Sequence, residues 1–247
     1  MKKYASFIAL VALLLNSCQP RNTDSTAAHN ILTEEEKAAG WELLFDGTTL
    51  QGWKRYNRDS IGPLWKVQDG MLVCNGSGFG EGSGDHGGSL MTTRSFGNFE
   101  LTVDWKVEAG GNSGILYHVV EDTAYAHDYE TGPECQVLDD AGWKGELRES
   151  QKAGSNYDMF EAAATKKLNP AGQWNTCKVI YNQGHVEHWL NGEKVVEFDE
   201  GSADYQARYQ QSKWVDYPAW NQSKTGAISL QDHGANVYFR NIKVRLL

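Results

Sequence analysis

Short runs of alternating apolar and polar residues, separated by turn residues, fill most of the chain from Trp41 onward. Two of these runs flank Asp69-Gly70, and two more flank Asn191-Gly192 in HVEHWLNGEKVVEF. An Asn-Gly or Asp-Gly pair between alternating runs is the strongest short-range signal for a β-hairpin. Long helical periodicity is absent, and many short strands with glycine-rich turns are typical of all-β domains. The pattern therefore predicts an antiparallel two-sheet jelly-roll sandwich.

One short helix is predicted ahead of the strands. Thr33 is a good N-cap, Glu36 stands where a capping box needs it, and Gly40 suits the helix end. Residues 19–32 are mostly small and polar, which is typical of a flexible tether. We therefore assign residues 18–39 to a tether with a short helix and residues 40–247 to the jelly-roll domain.

The N-terminus has the pattern of a secretory signal in residues 1–17. A basic start is followed by an apolar run that is short for a bilayer span. The stretch LNSC at 15–18 resembles the lipobox of bacterial lipoproteins, which implies lipidation of Cys18. An ordinary secretory signal with a chance cysteine is the alternative. With lipidation, the protein would be anchored in the bacterial cell envelope, on the periplasmic or outer surface, and would meet the membrane through its lipid alone.

Charge and cysteine usage exclude several function classes. The formal net charge is −9, which argues against binding to nucleic acid because such binding needs a basic surface. Beyond Cys18, the chain has Cys74, Cys135 and Cys177, an odd number without a CxxC pair. A disulfide framework or a zinc site is not expected, and each of the three is predicted to be a small buried apolar residue.

The segment TGPECQVLDDAGW, residues 131–143, places polar groups on a strand that must bury one face. Cys135 and Val137 can enter a core, whereas Glu134 and Gln136 share the opposite face. A buried carboxylate and a buried amide need partners, and this favours a functional groove. Glu134 is the residue for which the sequence favours function most.

Several other polar side chains are predicted to line the same concave sheet. His118 shares a strand face with Leu116, and Glu187 shares one with Trp189; Asp232 and His233 end another strand. His86 lies on the glycine-rich loop 74–89. Indole, imidazole, amide and carboxylate groups together suit a sugar. Structural interpretations stay open for four residues: His118 and His188 as hydrogen-bonded structural histidines, Asp232 as a turn cap, and Glu187 as a solvent-facing residue.

Five stretches of the chain resemble the 3-keto-disaccharide hydrolase family over residues 40–247. They are GWELLFDGTTLQGW, NSGILYHV, GPECQVLDD, the run from GSNYDMF to VVEF, and ISLQDHGANVYFRNIKVR. The resemblance implies a concanavalin A-like lectin/glucanase jelly roll that cleaves glycosides bearing a ketone at C3. The family's Glu-x-Gln strand with a following Asp maps onto Glu134, Gln136 and Asp139. Its Asp-His-Gly maps onto Asp232, His233 and Gly234, and Cys135 stands where an aromatic or aliphatic residue is common.

This chemistry explains why one carboxylate can suffice. Glucanases of similar fold need two acids on one strand face, and Leu138 stands where a second acid is expected. A C3 ketone acidifies the C2 proton, so a single base starts an elimination. We expect Glu134 or His118 to be that base.

Further roles follow from the same chemistry. Gln136 and His233 are expected as donors to the enolate or the leaving group, and Asp232 would orient His233. Glu187, Trp189 and His86 would bind substrate. No cofactor is certain, but a divalent metal held by Glu134, Asp139 and His233 would serve the same end. The substrate also requires an upstream sugar 3-dehydrogenase.

Two alternatives from other classes remain at this stage. A non-catalytic jelly-roll module that binds carbohydrate on the cell surface would show ligand binding without product release. A conventional glucanase would act on unoxidised glucans, although the missing acid pair weighs against it.

Overall fold

A computed structural model describes residues 29–76, 78 and 88–247. The signal segment, the lipidation residue Cys18 and the loop residue His86 lie outside the described residues. Within the described ranges, no helix has the length and apolar character that a bilayer crossing requires.

The described residues form thirteen strands and two α-helices. The strands are β1 (Trp41–Leu43), β2 (Trp53–Arg55), β3 (Trp65–Gln68), β4 (Met71–Cys74), β5 (Leu90–Thr92), β6 (Phe99–Val107), β7 (Asn112–Val119), β8 (Glu134–Leu138), β9 (Asn175–Asn182), β10 (His185–Leu190), β11 (Glu193–Asp199), β12 (Ala227–Leu230) and β13 (Val237–Leu246). The α-helices are α1 (Glu34–Ala38) and α2 (Ala203–Gln211), and short 3₁₀ turns occupy Asp128–Glu130, Glu149–Gln151 and Lys213–Asp216.

The strands form two antiparallel sheets that pack face to face. The larger sheet has the order β11-β10-β9-β6-β13-β4-β3, and β1 pairs with the C-terminal half of β13. The smaller sheet has the order β2-β5-β12-β7-β8. The predicted two-sheet jelly-roll sandwich is therefore confirmed.

Both predicted hairpins form, and each turns at the predicted Asn-Gly or Asp-Gly pair. Asn191 and Gly192 join β10 to β11 with φ of 50° and 85°. Asp69 and Gly70 join β3 to β4 with φ of 51° and 73°. Two consecutive positive φ values match the right-handed twist of the strands, and Asn, Asp and Gly adopt them at low cost.

The core lies between the two sheets and is rich in aromatic side chains. The larger sheet contributes Phe99, Trp105 and Phe239, and the smaller sheet contributes Ile115 and Tyr117. A second, smaller cluster covers the opposite face of the smaller sheet, around Tyr56, Met91, Leu116, Val119 and Ala227. The smaller sheet is thus packed on both faces, and its second face is the one that carries the site described below.

The three cysteines of the domain are buried, as predicted. Cys135 of β8 and Cys177 of β9 meet across the sandwich with their sulfur atoms 3.0 Å apart. Cys74 is also fully buried, at the end of β4. All three fill space in the core as small apolar side chains.

The N-terminal helix forms with the predicted capping box. The Thr33 hydroxyl accepts from Glu36 N, and the Glu36 carboxylate accepts from Thr33 N. The preceding residue Asn30, placed by the sequence in a tether, is instead buried. Its side chain and backbone exchange hydrogen bonds with Asn241, and its amide donates to Gly70 O at 2.7 Å. The part of the tether that the structure describes is therefore fixed to the sandwich.

The structure adds a second helix, α2, that the sequence analysis did not predict. Ser202 caps it by accepting from Tyr205 N at 3.1 Å. Tyr205 faces inward, stacked near Phe198 and Phe160. Most other positions of ADYQARYQQ are polar, so the helix shows little apolar periodicity and depends on tertiary packing.

His188 occupies the centre of the sandwich as a neutral imidazole. Its Nδ1 lies 3.2 Å from Gly154 O, which can only accept, so Nδ1 carries the proton. Its Nε2 then accepts from the Tyr117 hydroxyl at 3.3 Å. Burial lowers the pKa of His188 to about 4 from an ordinary value of 6.5.

The stability of the domain should fall on mild acidification. The unfolded state binds a proton at His188 near pH 6.5, whereas the folded state does so near pH 4. Stability is therefore lost as the pH falls through this window, by at most about 3 kcal/mol for this one residue. Urea unfolding at pH 7, 5.5 and 4.5 measures the loss. His188→Gln should flatten the profile, and an unchanged slope in that variant would contradict the assignment.

Candidate active site

Strand β8 is held on both of its edges, although it ends the smaller sheet. On one side it pairs with β7, with Leu116 opposite Glu134 and Gly114 opposite Gln136. On the other side the segment 154–157 follows it: Gly154 N donates to Gln136 O, and Tyr157 N donates to Glu134 O, at 2.8 and 3.0 Å. Because both edges are bonded, the direction of every β8 side chain is fixed.

Glu134 is buried beside a strand glycine that makes room for it. Its relative exposure is 5%, and Cys135, the next residue, points into the core. A β-carbon placed on Gly114 would lie 2.6 Å from Glu134 Cδ, well inside contact distance. Glycine in the middle of a strand usually marks such a close approach. The carboxylate thus lies against the backbone of β7.

A narrow pocket opens over this carboxylate on the second face of the smaller sheet. Glu134, Gln136 and His233, three residues that the sequence singled out, line it together. The rest of its lining comprises Asn112, Tyr129, Tyr157, Lys213 and Gln231. The structure therefore brings the residues of the Glu-x-Gln strand and of the Asp-His-Gly turn to one place.

Strand β12 delivers His233 to the pocket through bonds to β7. Gln231 N donates to Gly114 O at 3.0 Å, and the Ser113 hydroxyl donates to Gln231 O at 2.7 Å. His233 follows two residues later, and its ring meets the Trp143 ring edge to face at 6.2 Å. The imidazole is half-buried, so one side can meet a bound molecule.

The side-chain amide of Gln136 makes two hydrogen bonds within the protein. Its Oε1 accepts from Val137 N at 2.9 Å, and its Nε2 donates to Gln151 O at 3.3 Å. One proton of the amide nitrogen is left for other bonds. Gln136 therefore has one N–H left for its expected role as a hydrogen-bond donor to the substrate.

Asp232 holds the turn that precedes His233. Its Oδ1 accepts from Gly234 N and its Oδ2 from Gly88 N, at 3.0 and 3.2 Å. The nearby Cys74 thiol has its pKa raised, by burial first and by the Asp232 carboxylate second. Asp232 is 1% exposed, and it joins the Asp-His-Gly turn to the residue that ends the glycine-rich loop. Asp232 therefore acts as the turn cap that the structural interpretation predicts. The same bonds also fix the backbone that carries His233.

A larger cleft of about 450 Å³ adjoins the pocket and shares Tyr129 and Gln231 with it. Its volume lies within the range typical of small-molecule sites. Tyr56, Arg58 and Asp128 are among its lining residues.

Asp128 is a buried carboxylate of this cleft that is engaged by the fold. It accepts from the Ser229 hydroxyl at 2.5 Å and from Tyr129 N at 3.1 Å. Burial, with a smaller contribution from the negative charge of Asp128, raises the pKa of Tyr56 to about 12. The phenol therefore stays protonated at neutral pH, and it donates to Val120 O and Asp122 O, each 3.4 Å away.

His118 is not in this pocket, which corrects the prediction that it shares the groove. Strict alternation would place it beside Leu116, but a bulge interrupts β7, where His118 has φ of 54°. Its ring turns into the core against Tyr181, at 4.3 Å, and Nε2 contacts Gly97 O. Burial lowers its pKa. A fully buried ring on the core side cannot act as base on a bound sugar.

Glu187 and Trp189 lie on the other sheet, which corrects their assignment to substrate binding in the same groove. They occupy the outer face of β10, because Val186, His188 and Leu190 fill the inner face. Trp189 Nε1 donates to Glu187 at 2.6 Å. His185, Glu187 and Glu197 could together hold a metal ion, but Lys194 already bridges the two carboxylates.

Asp139 is separated from the pocket, which corrects the proposed metal ligand set. Its carboxylate accepts from Gly110 N at 2.8 Å and packs against Gly142. Five residues along an extended chain span about 16 Å, so Asp139 and Glu134 cannot bind one ion. Glu134 and His233 remain as the two expected ligands that share a pocket.

Sequence reasoning missed five residues that surround the site. Asn112, Asp128, Tyr129, Tyr157 and Lys213 come from four separate segments. The run SKWVDYPAW around Lys213 carried a signal, since its aromatic content argued against disorder in residues 199–224. Asp128 carried none, because its burial depends on strand β12 packing over a distant turn.

Comparison with known proteins identifies the class of enzyme that the sequence resembles. The model of the 3-keto-alpha-glucoside-1,2-lyase-like domain matches residues 40–245. A 3-keto-disaccharide hydrolase from Bacteroides thetaiotaomicron is 36% identical over 231 residues, covering 85% of this chain and 79% of the relative.

Two crystal structures of candidate glycosyl hydrolases from Parabacteroides distasonis are similar in sequence and fold. One is 43% identical with a TM-score of 0.82, covering 89% of this chain and all of the other. The second is 28% identical with a TM-score of 0.62, covering 84% and 99%.

The chain therefore belongs to the family of 3-keto-alpha-glucoside-1,2-lyase-like domains. The resemblance seen in the sequence is confirmed, and the protein is a glycoside-cleaving enzyme.

Gly114→Ala should inactivate the enzyme without unfolding it. The added methyl group would displace the Glu134 carboxylate, and a misplacement of this size costs about 10²-fold in rate. Alanine is otherwise better than glycine in a strand interior. Gly201→Ala is the control, because a β-carbon there meets nothing within 4 Å. Steady-state kinetics and thermal melting test the two variants. Full activity in Gly114→Ala would show that the close approach of Glu134 to Gly114 is not needed for catalysis.

Proposed function

We propose that the enzyme cleaves glycosides, in particular disaccharides, whose sugar carries a ketone at C3. The supporting observation is that Glu134 is the one carboxylate among the described residues that line the narrow pocket, and that His233 and Lys213 line it as well. Hydrolysis of an ordinary glycoside needs two carboxyl groups flanking the bond. A C3 ketone removes this need, because the C2 proton is then acidic enough for one base.

The proposed reaction begins at C2 and ends at C1. Glu134 takes the C2 proton, and the electron pair of the C–H bond forms an enolate with its charge on the C3 oxygen. The enolate collapses to a C1–C2 double bond, the C1–O bond breaks, and His233 protonates the leaving oxygen. Water then adds at C1 while a proton returns to C2, so the net reaction is hydrolysis.

The adjoining cleft is proposed to hold the leaving group. It begins at Tyr129 and Gln231, directly beside the Glu134 pocket, and is wide enough for a second sugar ring. The Arg58 guanidinium can donate to sugar oxygens, whereas the Tyr56 hydroxyl and the Asp128 carboxylate can accept. Gln136 would donate its remaining N–H to the reacting ring. The substrate itself must come from an enzyme that oxidises C3, a sugar 3-dehydrogenase.

Glu134→Gln should lower turnover of a 3-keto disaccharide by about 10²- to 10⁴-fold, since a positioned base contributes that much. The amide keeps the shape of the carboxylate, so the melting temperature should change little. Glu187→Gln is the matched control, because that residue lies on the outer face of the other sheet. Product release is followed by chromatography with the 3-keto disaccharide and with its unoxidised parent.

The outcomes separate the candidate functions. Cleavage of the 3-keto sugar alone supports the proposal. Equal cleavage of the parent would favour a conventional glucanase, and a rise in melting temperature without product would favour a binding module. Full activity in Glu134→Gln would show that Glu134 is not the base that takes the C2 proton.

We also propose, from the LNSC stretch, that the protein is lipid-anchored in the bacterial cell envelope through Cys18. The wild type expressed in a bacterial host should then enter the detergent phase on Triton X-114 partition, and Cys18→Ala should remain in the aqueous phase. Partition of the wild type into the aqueous phase would contradict the anchor.

A further inference from the structure

Lys213 stands at the pocket on a backbone that is fixed from several sides. Its N–H donates to the buried Asp158 carboxylate at 3.1 Å, and Asp158 is ion-paired with Arg148. The next residue, Trp214, donates through Nε1 to Tyr157 O at 3.0 Å. Ser212 caps the 3₁₀ turn by accepting from Trp214 N. The backbone position of Lys213 is therefore set by the fold, whereas the residue itself is exposed.

Three aromatic rings surround the ammonium group. Lys213 Nζ lies 4.5 Å from the Trp214 ring centroid, 4.8 Å from that of Tyr157 and 5.3 Å from that of Tyr129. Aromatic faces attract a cation through their quadrupole, but they leave its net charge in place. Within the part of the chain that the structure describes, no carboxylate forms an ion pair with Lys213.

Lys213 therefore lines the pocket as a positive charge that has no ion-pair partner among the described residues. Lys213 lines the same pocket as Glu134 and His233, although the three residues come from separate segments. Removal of a C2 proton by Glu134 would place negative charge on the C3 oxygen of the sugar. A preorganised donor at the developing charge is usually the largest single source of catalysis.

We infer that Lys213 is the cation that binds the C3 carbonyl oxygen and stabilises the enolate. The inference rests on the proposed function and assigns the role that this mechanism otherwise leaves open. Lys213 keeps its protons in this step: the electron pair moves from the C2–H bond to the C3 oxygen, and the ammonium group stabilises the charge. His233 can then protonate the leaving oxygen. Lys213 stabilises the enolate and His233 is the acid, so each function has its own residue.

A structural role for Lys213 is the competing interpretation. The ammonium group could serve only to hold Tyr129, Tyr157 and Trp214 together over the groove. Loss of a packing role would lower the melting temperature and weaken substrate binding. Loss of an enolate-stabilising charge would lower kcat and leave KM nearly unchanged, because the interaction grows only in the transition state.

The test compares Lys213→Met, Lys213→Arg and Lys106→Met on a 3-keto disaccharide. Lys106 is a matched control, since its Nζ also lies over two rings, those of Trp174 and Tyr238, on β6 of the larger sheet. Deuterium exchange at C2 in D₂O reports enolate formation separately from bond cleavage. Lys213→Met should lower both kcat and the exchange rate by about 10²- to 10³-fold, as loss of an oxyanion donor does. Lys213→Arg should keep part of the rate, and Lys106→Met all of it.

Each other outcome overturns a defined claim. If the wild type neither exchanges C2 hydrogen nor cleaves the sugar, the proposed function is wrong and the role of Lys213 falls with it. If the wild type does both and Lys213→Met stays within threefold, the assignment of Lys213 alone is wrong. Equal losses in the methionine and arginine variants with lower melting temperatures would make the role structural. Loss of wild-type activity on chelation, restored by a divalent metal, would assign the charge to a metal ion.

Discussion

The two-sided bonding of strand β8 is the constraint on which the site depends. Its pairing with β7 and with residues 154–157 leaves no freedom for the strand to twist or slip. The burial of Cys135 and Val137 in the core then forces Glu134 to the opposite face, since a one-residue slip would exchange the two faces. A carboxylate held there is costly to desolvate without compensation. Gly114 supplies the space, and the positive charge of Lys213 makes a negative group in the pocket electrostatically favourable.

The two sheets have different roles: the larger sheet forms most of the core, and the smaller sheet carries the site. The larger sheet holds most of the large aromatic core and presents ion pairs such as Glu187–Lys194 on its outer face. The smaller sheet is shorter and is packed on both faces, so its strands can carry polar groups into a groove that loops then cover. The roof comes from Tyr129, Tyr157 and Trp214, which contact one another or share Lys213 as a neighbour. In this arrangement the Glu134 carboxylate is buried, and the larger cleft opens beside it.

Local chemistry was predictable from the sequence, and long-range placement was not. The turn at Asn191-Gly192 and the capping of α1 by Thr33 depend on neighbouring residues alone, and both form as expected. His118 was assigned to the wrong face because a bulge in β7 interrupts the period-two alternation that the prediction assumed. Lys213 was missed for a different reason: it reaches the pocket from a 3₁₀ turn some 80 residues after Glu134 in the chain, and only the folded sandwich joins them.

The charge pattern of the pocket connects the family to its proposed chemistry. An acid pair that cleaves an ordinary glycoside has to flank C1, with one group protonated and the other ionised. The described lining offers instead one carboxylate, one imidazole that can transfer a proton, and one lysine. A lysine beside the reacting ring stabilises an anionic transition state rather than an oxocarbenium-like one, which is cationic. An enolate is the anion that a C3 ketone makes accessible, so the lysine in the lining supports the proposed elimination.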